Sequence, residues 1–412
     1  MEIRALFSAL RRNKTGPILV AVQVAITLAV LVNVAYVVQQ RIEEVNKPTG
    51  MDLEGLFWIA TGTTARDYDY AAGVKADLSY LNSIPGVVAA SIISNLPQTG
   101  GMTGLPFASN LETLQKPNGG TGALIYFGTE RLLDALGVRL VAGRNFDLGA
   151  IKPPAADFEA SLGDWAQEVI ITRKMAEKLF PDGNAIGKPI YVGLINKSST
   201  IVGIVDFMRA APASGRFDDF VSQIVFAPII PAGPNALYVV RAKPGQRAAV
   251  MREVEKNFAN LQPGRFISRM KDYTRTAAEI RQGTRSSAII LAVVALFVLA
   301  VTVVGISGLA AFNVTTRTKQ LGIRRAIGAR KFHILRYFLV ENWIITTCGA
   351  VLGCMLALAA GIKLSTMYEM ERVPLYYFVG GVLLVWIVGL LAVLVPARRA
   401  ASISPAIATR SV

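Results

Sequence analysis

Ser286–Phe312, SSAIILAVVALFVLAVTVVGISGLAAF, contains no charged residue. A helix needs roughly 20 apolar residues to cross about 30 Å of hydrocarbon, and this stretch exceeds that. Working outward from it, Ile18–Gln40, Asn342–Ile362 and Val373–Ala397 are also free of charge. Backbone groups left unpaired in lipid are costly, so all four stretches are read as transmembrane helices: 18–40, 286–316, 342–362 and 373–397. The composition of the 412 residues agrees. Hydrophobic residues make up 52% and charged ones 17%, with mean hydropathy +0.44. These values exclude an ordinary soluble chain of this size, and equally a disordered or collagen-like one.

The spans divide the chain. Residues 1–17 form an amphipathic N-terminal segment. Residues 41–285 form one large excursion, 317–341 a basic segment, 363–372 a short loop, and 398–412 a tail. The first span follows Arg11, Arg12 and Lys14, yet its apolar stretch is too long for a cleaved signal and no A-x-A-like site follows, so it is read as an uncleaved anchor. Lys and Arg set the orientation. One side holds Arg4, Arg11, Arg12, Lys14, Arg317, Lys319, Arg324, Arg325, Arg330, Lys331, Arg336, Arg398, Arg399 and Arg410. The other holds Arg41, Lys47, Lys271, Arg275, Arg281, Arg285, Lys363 and Arg372. The richer side is expected to be cytoplasmic, with both termini there. Only Glu2 and Glu341 oppose its basic residues, so most of the net +15 sits on that side, facing anionic lipid rather than nucleic acid.

The excursion has no cysteine. Near its start, Gly55–Thr61 (GLFWIAT) reads as a strand, Ala71–Asn82 as a helix and Val87–Ser94 as a strand. Near its end, Ala236–Ala242 (ALYVVRA), Gly245–Asn260 and Arg265–Lys271 repeat that pattern. Two β-α-β units flanking an insertion suggest a split α+β layer, about 52–98 with 225–272, around an inserted subdomain of about 100–224. The expected fold class is therefore an α-helical membrane protein of four spans, with a two-subdomain α+β extracytoplasmic domain between spans one and two.

Catalytic chemistry is missing. The only Gly-Lys pair, Gly187-Lys188 in GNAIGKP, has Pro189 where a phosphate-binding loop needs Ser or Thr, and Gly183 is one residue too close. His333 stands among Arg330, Lys331 and Arg336 without an acidic neighbour. Cys348 and Cys354 fit no metal spacing and are read as packing residues of span three. Asp218-Asp219 reads as a solvated acidic pair. No catalytic residue and no metal ligand is assigned. Within the spans, Gln23 and Thr27 share a face, and Gly305 with Gly308 offers a small-residue surface for helix contact. The segment 317–341 stands out: Leu321, Arg324, Arg325 and Gly328 follow a helical period, and Ile323 with Ile327 forms an apolar pair beside them. On the residues alone, two readings stand. Either the segment docks in a partner's groove, or its basic groups merely lie on lipid.

Several stretches carry a resemblance. Tyr126–Asp147 (YFGTERLLDALGVRLVAGRNFD), Ile170–Ile190 (IITRKMAEKLFPDGNAIGKPI) and Thr200–Arg209 (TIVGIVDFMR) resemble the periplasmic core domain of MacB-type permeases. Arg317–Glu341 (RTKQLGIRRAIGARKFHILRYFLVE) and Pro396–Ala400 (PARRA) with Ser404-Pro405 resemble that family's membrane part. The family is the MacB/FtsX-type ABC permeases, also called mechanotransmission transporters. The resemblance implies a non-catalytic permease subunit of a bacterial inner membrane. ATP and Mg would be held by a separate ABC ATPase dimer. That dimer would contact Leu321, Gly322, Ile323, Arg324, Arg325, Ala326, Ile327, Gly328 and Ala329, and Glu341 would pair with Arg336 or Arg317. A second permease copy, identical or not, a periplasmic adaptor, an outer-membrane duct and membrane lipids are the implied partners, and efflux the implied function. An FtsX-like regulator of an extracytoplasmic enzyme, or a lipoprotein-releasing permease, shares the layout.

Overall fold

The computed structural model describes residues 15–116, 119–155, 157–213, 216–368 and 372–402. Most of the N-terminal segment, the tail from 403 onward and part of the 363–372 loop therefore lie outside the described residues, as does the side chain of Arg324. In chain order the elements are α1 (Thr15–Asn46), β1 (Leu56–Thr63), α2 (Tyr70–Ser83), β2 (Val87–Ile92), β3 (Gly104–Ala108), α3 (Leu111–Gln115) and β4 (Thr121–Phe127). Next come α4 (Leu132–Leu136), β5 (Leu140–Gly143), α5 (Phe158–Gly163), β6 (Glu168–Thr172), α6 (Arg173–Leu179), β7 (Pro189–Val192), β8 (Lys197–Val205) and α7 (Arg216–Phe220). The last are β9 (Ile224–Ala227), β10 (Leu237–Ala242), α8 (Arg247–Asn257), β11 (Arg265–Asp272), α9 (Tyr273–Thr316), α10 (Thr318–Ala326), α11 (Lys331–Tyr368) and α12 (Leu375–Ser402). The chain divides into two compact units, Glu44–Thr284 and the remainder.

The α+β unit is layered. A four-stranded antiparallel sheet has the order β11-β1-β10-β2, so the two β-α-β units interleave instead of lying side by side. A seven-stranded mixed sheet has the order β5-β8-β6-β9-β4-β3-β7, and β7 also pairs with β8, which closes a ring of pairings. Successive side chains of a strand face opposite ways, and here both faces are buried. In β1, Leu56 and Trp58 enter the core between the two sheets, while Phe57 and Ile59 pack on the side of α2 and α8. In β4, Leu124 and Tyr126 enter that same central core, while Ile125 and Phe127 pack with Met175 and Ala176 of α6. The inserted segment thus shares a core with the layer that flanks it.

Two polar ties reinforce the layers. Arg265 and Asp77, both fully buried, meet at 2.5 Å, and Tyr238 donates to the same carboxylate at 2.6 Å. Burial pushes the Asp77 carboxyl above its ordinary range, although Tyr238 and Arg265 oppose that. Arg241 of β10 reaches across to Asp52 (2.7 Å) and to the carbonyls of Asp134 and Ala135 at the end of α4. Gly137, which caps α4 with φ +66°, would place a Cβ 2.5 Å from that guanidinium, so both conformation and space require glycine there.

Residues up to 43 and from 285 onward form the other unit. Among the described residues, four helices are long and apolar enough to cross a membrane: 15–44, 273–316, 331–365 and 375–402. Each begins earlier or ends later than its uncharged stretch. In particular, residues 331–341 of the basic segment are the first turns of α11, continuous with the third span. α1 is the common partner. Gln23 donates to the Val301 carbonyl (3.1 Å), and the Thr27 and Thr302 hydroxyls meet at 2.6 Å. Cβ atoms added at Gly349 and Gly353 would lie 2.7 and 2.9 Å from the Ala21 and Ala25 carbonyls, so α11 and α1 approach backbone to backbone. Asn33 donates to the Ala357 carbonyl one turn further on (3.3 Å). Of the expected glycine pair on α9, Gly305 lies against Gln23, whereas Gly308 has open space beside it. Cys348 is exposed, not packed.

Candidate functional site

α10 is a nine-residue helix attached to the span ends at three points. At its start, Arg317 donates to both carboxylate oxygens of Glu341 (3.2 and 3.3 Å), a residue almost fully buried near the start of α11. Between the two expected partners of Glu341, the structure places Arg317 in contact; Arg336 is exposed. In its middle, Leu321 (4% exposed) packs among Val314, Ile334, Phe338, Ala397, Ala400 and Ala401. At its end, Arg325 donates to the Ala401 carbonyl in the last turn of α12 (3.1 Å), where a helix carries partial negative charge. The helix closes with Ile327 and Gly328 donating to the Ile323 and Arg325 carbonyls, and Gly328 takes φ +105°, open to glycine alone without strain.

These attachments sort the sequence-derived residues. Leu321 and Gly322 are buried and Arg325 points toward α12, so these three hold the helix in place and do not form its outer surface. Ile323 (47% exposed), Ala326, Ile327 (82%) and Gly328 form the outer surface, with Ala329 half-buried beside them. Phe332, 66% exposed, extends the apolar patch, and Lys319, Arg330, Lys331, His333 and Arg336 surround it with exposed basic groups. Sequence reading passed over Phe332 because it sits between charged residues. It also passed over the stripe Gly349, Gly353, Ala357 and Gly361, which a search for small residues every fourth position would have found. Chemically, the patch can bury apolar side chains, each worth about 1.5–3 kcal/mol, inside a collar that favours acidic neighbours.

Comparison with known proteins identifies the family. The model for the MacB-like periplasmic core domain matches residues 18–257, and that for the FtsX-like permease C-terminal matches residues 292–405. The macrolide export ATP-binding/permease protein MacB of Neisseria gonorrhoeae is 27% identical over 310 residues, 73% of this chain and 45% of that protein. The MacB of Marinobacter nauticus is 28% identical over 374 residues, 87% of this chain and 50% of that protein. The chain therefore spans about half the length of these curated relatives or less. Among solved structures, the periplasmic region of MacB from Actinobacillus actinomycetemcomitans is 12% identical, covering 58% of this chain and 97% of that one at a TM-score of 0.34. The core-domain match covers more than half the residues and the permease match takes in three of the four spans: the chain belongs to the MacB/FtsX-type ABC transporter permeases.

Proposed function

We propose that this chain is the permease of an ABC machine whose ATPase dimer docks on the outer surface of α10 and the first turns of α11 in two permease copies. ATP and Mg are held by the ATPase. The observation that carries this reading is the exposed patch of Ile323 and Ile327, extended by Phe332 of α11, on a helix fastened to α11 and α12 at three points. A push on such a patch is delivered to the spans, because the fastened helix has little freedom to yield. α9 is unbroken over 44 residues, about 66 Å at 1.5 Å per residue, well beyond what a bilayer needs. α1 and α9 then act as levers that carry the stroke to the α+β unit.

In this reading both termini and α10 face the cytoplasm of a bacterium and the α+β unit stands in the periplasm. There an adaptor and an outer-membrane duct complete a path for export of an antibiotic, peptide or other toxic compound. The relatives' names pair an ATP-binding part with a permease and specify macrolide export, which supports the same division of labour here. Co-purification tests it. The full chain extracted in mild detergent should carry an ABC ATPase in equal amount, and Ile323→Glu with Ile327→Glu should release it. Recovery of the chain without any ATPase, or an unaltered amount with the double variant, would overturn the assignment.

A further inference from the structure

The acidic pair Asp218-Asp219 reads from sequence as a solvated loop, but the structure gives it other work. Asp219 pairs with Lys174 at 3.0 Å, and Asp218, on α7, is shared by two cations. Lys47, the residue directly after α1, reaches one carboxylate oxygen at 2.8 Å, and Arg209, almost fully buried, reaches the other at 2.5 Å. The backbone tightens the same joint. Arg209 N–H donates to the Thr49 carbonyl (2.8 Å), and Gly50, at φ +76°, would place a Cβ 2.3 Å from the Phe207 carbonyl oxygen. Gln98 adds a further support. It is a buried non-glycine residue at φ +65°, a conformation side chains rarely adopt unless neighbours hold it. Its N–H and side-chain amide donate to the Ala210 and Arg209 carbonyls, each at 2.5 Å.

α9 is held differently. It follows directly from β11, Trp58 of β1 donates to its Thr276 (2.9 Å), and Arg247 of α8 pairs with Asp272 just before it (2.5 Å). Those polar partners belong to the four-stranded layer, whereas the polar partners of residues 47–50 belong to the inserted, seven-stranded one. α9 also enters the common core through Tyr273, which donates to the Pro97 carbonyl, and its Ala277 and Ile280 line the same cavity as Lys47 and Arg209. We propose that Asp218 is a positioning residue that pins the end of α1 to the inserted subdomain, while α9 drives the four-stranded layer, so that unequal movement of the two helices shifts one sheet against the other across their common core. The inference deepens the lever reading above and rests on it.

Spin-label distances on the full chain in lipid nanodiscs test the pin without needing the ATPase. With Cys348→Ser and Cys354→Ser as background, one label pair sits at the exposed Asn46, the last residue of α1, and Leu194 of the inserted subdomain. A control pair sits at the exposed Gln282 of α9 and Val88 of β2. Asp218→Asn should cost the 46–194 pair its single narrow distance peak while the 282–88 pair keeps its own, and Asp218→Glu should restore the first. A 46–194 peak unchanged by Asp218→Asn, or equal broadening of both pairs, overturns the proposal. ATPase retention by the wild-type chain is read separately and bears only on the docking assignment.

Discussion

Replacing Glu341 by Gln removes the charge that fastens the start of α10. The pair stands 3.2 Å apart, with 7% of the Glu341 side chain and 22% of the Arg317 side chain exposed. At an effective dielectric of about 20 the attraction is roughly 5 kcal/mol before desolvation is subtracted. Removing one partner of a buried pair typically costs about 3–5 kcal/mol, because the other charge is left stranded. Arg317 is partly exposed, so the lower end of that range is expected for Glu341→Gln, about 3 kcal/mol. Arg317→Met should cost a similar amount by stranding Glu341. The double variant strands nothing, so it should recover most of the loss. A double-mutant cycle on the unfolding free energy of the purified chain in mixed micelles reads this coupling directly. If the double variant is as unstable as the sum of the two single ones, the pair does not fasten α10 and the three-point attachment loses its first member.

Other outcomes follow from the same geometry. Gly353→Val forces α11 away from α1 at the Ala25 carbonyl and should cost about 1–3 kcal/mol as overpacking, seen as a lower thermal midpoint of the full chain, while Gly308→Val, with open space beside it, should not. Arg265→Met strands the Asp77 carboxylate in the α+β unit and should cost about 3–5 kcal/mol, measured by denaturant unfolding followed through tryptophan fluorescence; unchanged stability would mean the pair is inert. For Asp218, burial acts to raise the pKa, but hydrogen bonds and charge from Lys47 and Arg209 outweigh it and hold the carboxyl below the usual range. A depressed carboxylate contributes its stabilisation above its unfolded pKa, about 3.9, and loses it as pH falls through the folded value. The 46–194 label distance should therefore stay narrow from neutral pH down to about 4 and broaden only below that; broadening near pH 6 would contradict the assignment.

The four spans were legible because lipid excludes charge over a continuous stretch, a signal that one sequence carries in full. The split of the α+β unit was legible from the repeated strand–helix–strand pattern at its two ends. The interleaved order β11-β1-β10-β2 was not, since the pairing of Tyr238 with Ile59 and Ile92 is fixed by partners far apart in the chain. For the same reason Asp218 looked idle: Lys47 is 171 positions away, and no local spacing announces it. In the basic segment the helical period was visible, but the period alone did not tell inward from outward. Leu321 turns inward because Ala397, Ala400 and Ala401 of a distant helix leave room for it, and that orientation exposes Ile323 and Ile327.

The measurement closest to the central claim is the affinity of the chain, in lipid nanodiscs, for the ATPase that co-purifies with it, compared between wild type and Ile327→Glu. Losing one buried isoleucine contact, worth about 1.5–3 kcal/mol, should weaken binding by about tenfold or more. Binding of equal strength by the variant would show that force does not enter through α10.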